Sequence, residues 1–92
     1  MNYIKHYNLL IESRKQLNRG LIRQIGYEIH HIHAKCLGGS NNVENLLLLT
    51  TREHYIAHWL LWKATNDFRL GIAFGTMCWN KEKRKFTSGQ LS

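Results

Sequence analysis

Five of the chain's six histidines lie between positions 30 and 58, and this clustering constrains the fold more than any other feature. Imidazoles are intermediate in burial and change charge near neutral pH, so several brought together need a specific arrangement to be tolerated. The chain has 92 residues, the length of one domain. A chain this short buries only about 60–65% of its unfolded surface, so its core is marginal and other contributions to folding matter.

Charge and cysteine content exclude several classes. With 13 Lys and Arg against 6 Asp and Glu, the formal charge is +7 and the pI is near 9.8. A pI above about 9 on a small domain points to a nucleic-acid partner; a basic surface that only aids solubility is the bland alternative. Cys36 and Cys78 are too few for a disulfide-rich scaffold or a four-cysteine zinc ribbon. The longest aliphatic run, Leu46 to Leu49, is far short of the roughly 20 residues that span a bilayer. Lys5 and His6 followed by mixed polar residues give no signal-peptide pattern. A cytoplasmic protein with no membrane association is the expectation.

Apolar residues at Tyr3, Tyr7, Leu10, Ile11 and Leu17 predict a helix over 3–18, with Gly20 as its stop. Residues 19–26 read as a linker. Tyr27 to Ile32 and Leu46 to Leu49 read as short strands around a loop containing Gly38-Gly39-Ser40-Asn41-Asn42. Thr50 and Glu53 form a capping-box pattern that predicts a helix over 51–65. Asp67 caps a further expected helix, 68–79, with Phe68, Ile72 and Met77 as inward candidates. One domain is therefore expected: N-terminal helix and linker over 1–26, core over 27–65, C-terminal helix over 66–80 and basic tail over 81–92.

His54 and His58 are spaced i, i+4 and share one helix face, with Cβ atoms about 5–6 Å apart. Two imidazoles so placed are half of a metal site, and His30 on the first strand is the natural third ligand. Three histidines with an open position describe a catalytic rather than a closed structural site. A fourth neutral histidine beside the metal suits a general base. Neighbouring strand residues face opposite ways, so His31 joins His30 at one site only where the strand ends, twists or bulges. His33 would share His31's face and is the rival base.

At these residues the sequence resembles the HNH, or ββα-metal, nucleases, and most of all the small HNH homing endonucleases of tailed phages. The matching residues are Tyr27-Glu28-Ile29-His30-His31-Ile32, Leu37-Gly38-Gly39-Ser40-Asn41, Asn45-Leu46, Leu49-Thr50 and Arg52 through His58. The His-His pair, the Asn and the helical His-x-x-x-His are also similar to the nuclease domains of colicin-type toxins. The resemblance implies an α+β fold, a small ββα-metal core with flanking N- and C-terminal helices. It implies His31 as general base and Asn45 as the residue that pins the loop and orients it. It implies His30, His54 and His58 as metal ligands and Glu28 as an acid that orients a ligand or an arginine. The family usually has proline where this chain has Ala34, and there is no proline anywhere; proline would stiffen the loop after the base, so the departure bears on loop rigidity and not on the ligand set.

The implied reaction is hydrolysis of double-stranded DNA with one divalent cation: His31 takes a proton from water, and the cation neutralises the phosphate and the departing 3′ oxygen. Imidazoles favour zinc or nickel, whereas the family commonly works with magnesium or manganese, so the cation is expected among these four. Candidate phosphate contacts are Lys35 and Arg52 beside the site, Arg14, Lys15, Arg19 and Arg23, and the tail's Lys81, Lys83, Arg84 and Lys85. Tyr55, Trp59 and Trp62, at helical spacing, read as a core stripe rather than a base-stacking platform. One site cuts one strand per encounter, so a double-strand break requires a homodimer or two nicks. Two other functions fit the sequence: a non-catalytic, zinc-stabilised DNA-binding module, and an HNH subunit of a larger phage or restriction complex.

Overall fold

The computed structural model describes residues 1–78. The basic tail, with Lys81, Lys83, Arg84 and Lys85, lies outside the described residues, as do the last positions of the expected C-terminal helix. The element order is α1 (Tyr3–Lys15), β1 (Tyr27–His31), β2 (Leu46–Thr50) and α2 (Thr51–Thr65), followed by a helix over 68–78, here α3. It is a small α+β arrangement with two antiparallel strands and three helices.

The strands pair from Tyr27 opposite Thr50 to His31 opposite Leu46. The four leucines thus form a strand, as their position between a glycine loop and a helix cap predicts. Leu48 and Leu49 are both fully buried. Since alternate residues face opposite sides of a strand, both faces of β2 are covered. Burial of each leucine contributes roughly 1.5–3 kcal/mol, a large share in a core this small.

Thr50 ends β2 and starts α2 without a connecting loop. Its side chain accepts from the Glu53 N–H at 3.1 Å, and the Glu53 carboxylate accepts from the Thr50 N–H at 2.9 Å. The same carboxylate accepts from Arg14 on α1 and, at 2.6 Å, from Arg19. Burial pushes the Glu53 carboxyl up, but hydrogen bonds from Arg19, the Thr50 N–H and Arg14 outweigh this and hold it at about 2. The capping box therefore also ties α1 and the following segment to the start of α2. Arg14 and Arg19, expected among the phosphate contacts, are instead held by an internal carboxylate.

Helix α1 ends at Lys15, short of the expected residue 18, because Asn18 adopts a left-handed backbone at φ 51°. Leu17 consequently lies outside the helix and is 54% exposed, whereas Tyr7 and Ile11 join the core with Ala57, Leu60 and Leu61 of α2. Asp67 caps α3 as expected, its carboxylate accepting from the Arg69 N–H at 2.9 Å. The helix phase differs from the expectation: Phe68 and Ile72 are 73% and 61% exposed, and Leu70 is fully buried. The pairs 68/72 and 70/74 have equal apolar weight in the sequence, and packing selects the second. Phe74 stacks on Trp62 with centroids 5.7 Å apart and the planes tilted by 25°, and Trp59 meets Tyr3 edge-on at 5.5 Å. The aromatic stripe is thus a packing surface.

Candidate metal centre

The antiparallel pair and α2 bring three imidazoles together. His30 on β1 and His54 and His58 on α2 each offer a nitrogen, and these atoms lie within 4.8 Å of one another. Ring centroids are 5.2 Å apart for His30–His54 and His30–His58, and 4.7 Å for His54–His58. The register that sets His30 opposite Leu47 turns the His30 ring into the interior, where it is 0% exposed.

The hydrogen bonds fix which nitrogens carry lone pairs. His54 Nδ1 lies 2.9 Å from Glu28 Oε1. A carboxylate only accepts, so Nδ1 carries the proton and Nε2 is bare. That Nε2 is 3.1 Å from His58 Nε2, close to the roughly 3.3 Å that separates two imidazole nitrogens on one tetrahedral cation. His30 Nδ1 and His58 Nδ1 are buried with no hydrogen-bond partner among the described residues. Burial, with the nearby charges of His58, His54 and His31, pushes the His30 pKa down to about 2. Burial and the charge of His54 push His58 down to about 4. Both rings are therefore neutral at physiological pH, as metal ligands must be. A buried neutral His30 with an orphaned Nδ1, beside a His54 oriented by a carboxylate, fits a divalent cation.

The two shifts predict a pH dependence of stability. Both folded-state pKa values lie below the unfolded value of 6.5, so the unfolded chain binds more protons between them. Stability is full above pH 6.5 and is lost as pH falls toward 4 for His58 and toward 2 for His30. Each group costs about 1.4 kcal/mol per pH unit in its window. Thermal melts in EDTA at pH 7 and pH 5 should show a clear fall in midpoint. Equal midpoints would contradict the buried neutral pair.

His31 is the last residue of β1, so the alternation rule no longer binds the chain beyond it. His31 lines an open cleft of about 490 Å³ together with His54, His58, Lys35, Ala34 and Ala73. Its Nε2 lies 2.8 Å from Asn41 Oδ1; an amide oxygen accepts, so Nε2 is protonated and Nδ1 keeps the lone pair. His33, the rival, is exposed, with Nε2 3.2 Å from the Leu37 carbonyl.

Asn45 makes three side-chain hydrogen bonds across the loop. Oδ1 accepts from the His33 N–H at 2.7 Å, and Nδ2 donates to the His33 carbonyl at 3.1 Å and the Ser40 carbonyl at 2.7 Å. Its own carbonyl accepts from the Ile32 N–H at 2.8 Å. A Cβ at position 39 would collide with the His33 carbonyl, so Gly39 permits the close approach on which this clamp depends. Asn45 and Gly39 together tie the loop after His31 to the end of β1, in a segment without proline.

Lys35 lines the cleft. Arg52 and Arg23 are exposed and are not among its lining residues. The sequence alone does not single out Asn41 or Tyr7. Asn41 was submerged in loop composition, and Tyr7 in the apolar periodicity of α1. Cys36 and Cys78 are free thiols, and among the described residues no helix is long and apolar enough to cross a membrane.

Comparison with known proteins gives four matches among phage T4 proteins. Over 85 residues the chain is 44% identical to probable mobile endonuclease B of Enterobacteria phage T4, covering 89% of this chain and 31% of the relative. It is 46% identical over 85 residues to probable mobile endonuclease E, covering 92% and 58%. It is 38% identical over its full 92 residues to probable mobile endonuclease C, 43% of that protein. The chain thus spans 31–58% of the length of these relatives. No family model matches, and no solved structure matches.

Proposed function

We propose that the chain is a metal-dependent HNH-type endonuclease domain that hydrolyses DNA phosphodiester bonds, of the kind carried by phages and mobile elements. The observation that carries this reading is the three-imidazole cluster of His30, His54 and His58 beside a cleft lined by His31 and Lys35. Similarity to phage T4 proteins described as probable mobile endonucleases supports it.

In this reading His30, His54 and His58 hold one divalent cation, which supplies Lewis-acid neutralisation of charge on the phosphate and the departing oxygen. His31 Nδ1 accepts the proton of the attacking water, while the Asn41 amide holds the opposite nitrogen in its protonated form. Asn45 fixes the loop beyond His31 and so keeps the base in register with the cleft. Glu28 orients His54 through Nδ1. Lys35 draws the phosphate backbone toward the cleft, and Arg52, Arg23 and the 81–85 basic run extend the positive surface for duplex DNA. Imidazole donors favour zinc or nickel over magnesium, which prefers oxygen ligands. One such site cuts one strand per encounter, so nicking is the expected product unless two copies act together.

Incubation of supercoiled plasmid with the protein and Mg²⁺, Mn²⁺, Co²⁺, Ni²⁺ or Zn²⁺ tests the proposal. Conversion to nicked circles with at least one metal, abolished by EDTA, is expected. DNA binding without cleavage in every metal would replace this reading with that of a zinc-stabilised binding module.

A further inference from the structure

One contact to the imidazole cluster comes from outside the strands and α2. The Tyr7 hydroxyl, on α1, lies 2.7 Å from His30 Nε2 and 2.7 Å from the Ile32 carbonyl oxygen. Tyr7 is 3% exposed, and its phenolic hydroxyl carries a single proton. The Ile32 carbonyl can only accept, so it takes that proton. The hydroxyl then has only lone pairs to offer His30 Nε2, which must be the donor. His30 is thereby fixed as its Nε2–H tautomer. Its remaining lone pair is on Nδ1, the buried nitrogen with no hydrogen-bond partner among the described residues. In the opposite tautomer, Nε2 and the phenol oxygen would face each other lone pair to lone pair, and a proton would occupy the nitrogen that the cluster needs bare.

We propose that Tyr7 is a positioning residue for the metal centre: it sets the tautomer of His30 and leaves Nδ1 as that ring's only donor to a cation. This rests on the reading of His30 as a ligand, and it assigns α1 a role beyond packing. Two ligands are then set from opposite sides, His54 by the Glu28 carboxylate through Nδ1 and His30 by a phenol through Nε2. The two rings are held in opposite tautomers, so His54 offers Nε2 and His30 offers Nδ1. The Ile32 carbonyl completes the relay and lies just past the end of β1, so the hydrogen bond that orders the ligand also anchors α1 to the start of the loop that follows His31.

The test is a comparison of wild type with Tyr7→Phe in ¹⁵N-labelled, metal-free protein, by two-bond ¹H–¹⁵N correlation spectra of the His30 ring and by Co²⁺ titration followed in the visible d–d bands. The wild type should show protonated Nε2 and bare Nδ1. Tyr7→Phe should shift His30 toward the Nδ1–H form and weaken Co²⁺ binding about 10–100-fold, the usual effect of losing a hydrogen-bond partner of a ligand, with unchanged far-ultraviolet circular dichroism. A merely structural role for Tyr7 would leave the tautomer unmoved. A wild-type spectrum with protonated Nδ1 overturns the proposal, as does a variant with unaltered tautomer and Co²⁺ affinity. Wild-type protein with the expected tautomer but no Co²⁺ binding would sink the metal-ligand reading while supporting control of the tautomer by Tyr7. If Tyr7→Phe fails to fold, the wild-type spectrum still decides between the two tautomers.

Discussion

Replacing His31 with alanine is expected to slow plasmid cleavage about 10²–10⁴-fold, the usual contribution of a positioned general base, while metal affinity stays near that of the wild type. The separation follows from the geometry. His31 lies outside the cluster of His30, His54 and His58, and its Nε2 is engaged by Asn41. Its lone pair on Nδ1 is therefore available to water rather than to the cation. Its side chain is only half-buried, so truncation leaves no sealed cavity and the fold should survive. Rates of DNA cleavage and Co²⁺ affinity, measured on the same preparation, give both readouts. Cleavage within about tenfold of wild type would remove His31 as the base and direct attention to His33. Loss of metal binding with loss of cleavage would instead place His31 in the ligand shell.

Replacing His58 with alanine should have the converse signature. It removes one of three clustered donors, and the affinity loss should exceed the 10–100-fold typical of partners that only orient a ligand, so a fall of more than about 100-fold is expected. Stability reports the same event. Cation at about 100 times its dissociation constant contributes about 2.7 kcal/mol to the folded state, worth roughly 10–20 °C in melting temperature for a chain of this size. Wild type should show that rise when metal is added, and His58→Ala should show almost none. Without metal the substitution removes the contact of His58 Nε2 with His54 Nε2 as well as a buried unpartnered Nδ1, so the metal-free melt of each protein is the baseline against which its rise is read. Unchanged affinity by calorimetry would count against the three-histidine ligand set.

Both predictions concern residues that the sequence places within 28 positions, from His31 to His58. Their spacing is legible because it depends on local rules. An i, i+4 pair on a capped helix must share a face, and Thr50 with Glu53 fixes where that helix begins. The glycine loop and the four leucines also read correctly, because turn chemistry and strand length are local properties. Helix phase did not: Phe68 and Ile72 compete on equal terms with Leu70 and Phe74 until α2 supplies Trp62 as a partner. The charges of Arg14 and Arg19 read as available for phosphate because nothing local shows that Glu53, more than thirty positions away, accepts from both.

By itself the sequence determined the element order, the capped helix and the set of chemically competent side chains, since periodicity, capping and donor type are written residue by residue. Only the tertiary structure decided which nitrogen of His30, His31 and His54 is bare. That depends on single protons shared across the fold: from His54 to Glu28, from His31 to Asn41, and from His30 to a tyrosine 23 positions earlier whose own proton goes to Ile32. Hydrogen-bond direction is a property of three-dimensional contact, and no spacing in the chain encodes it.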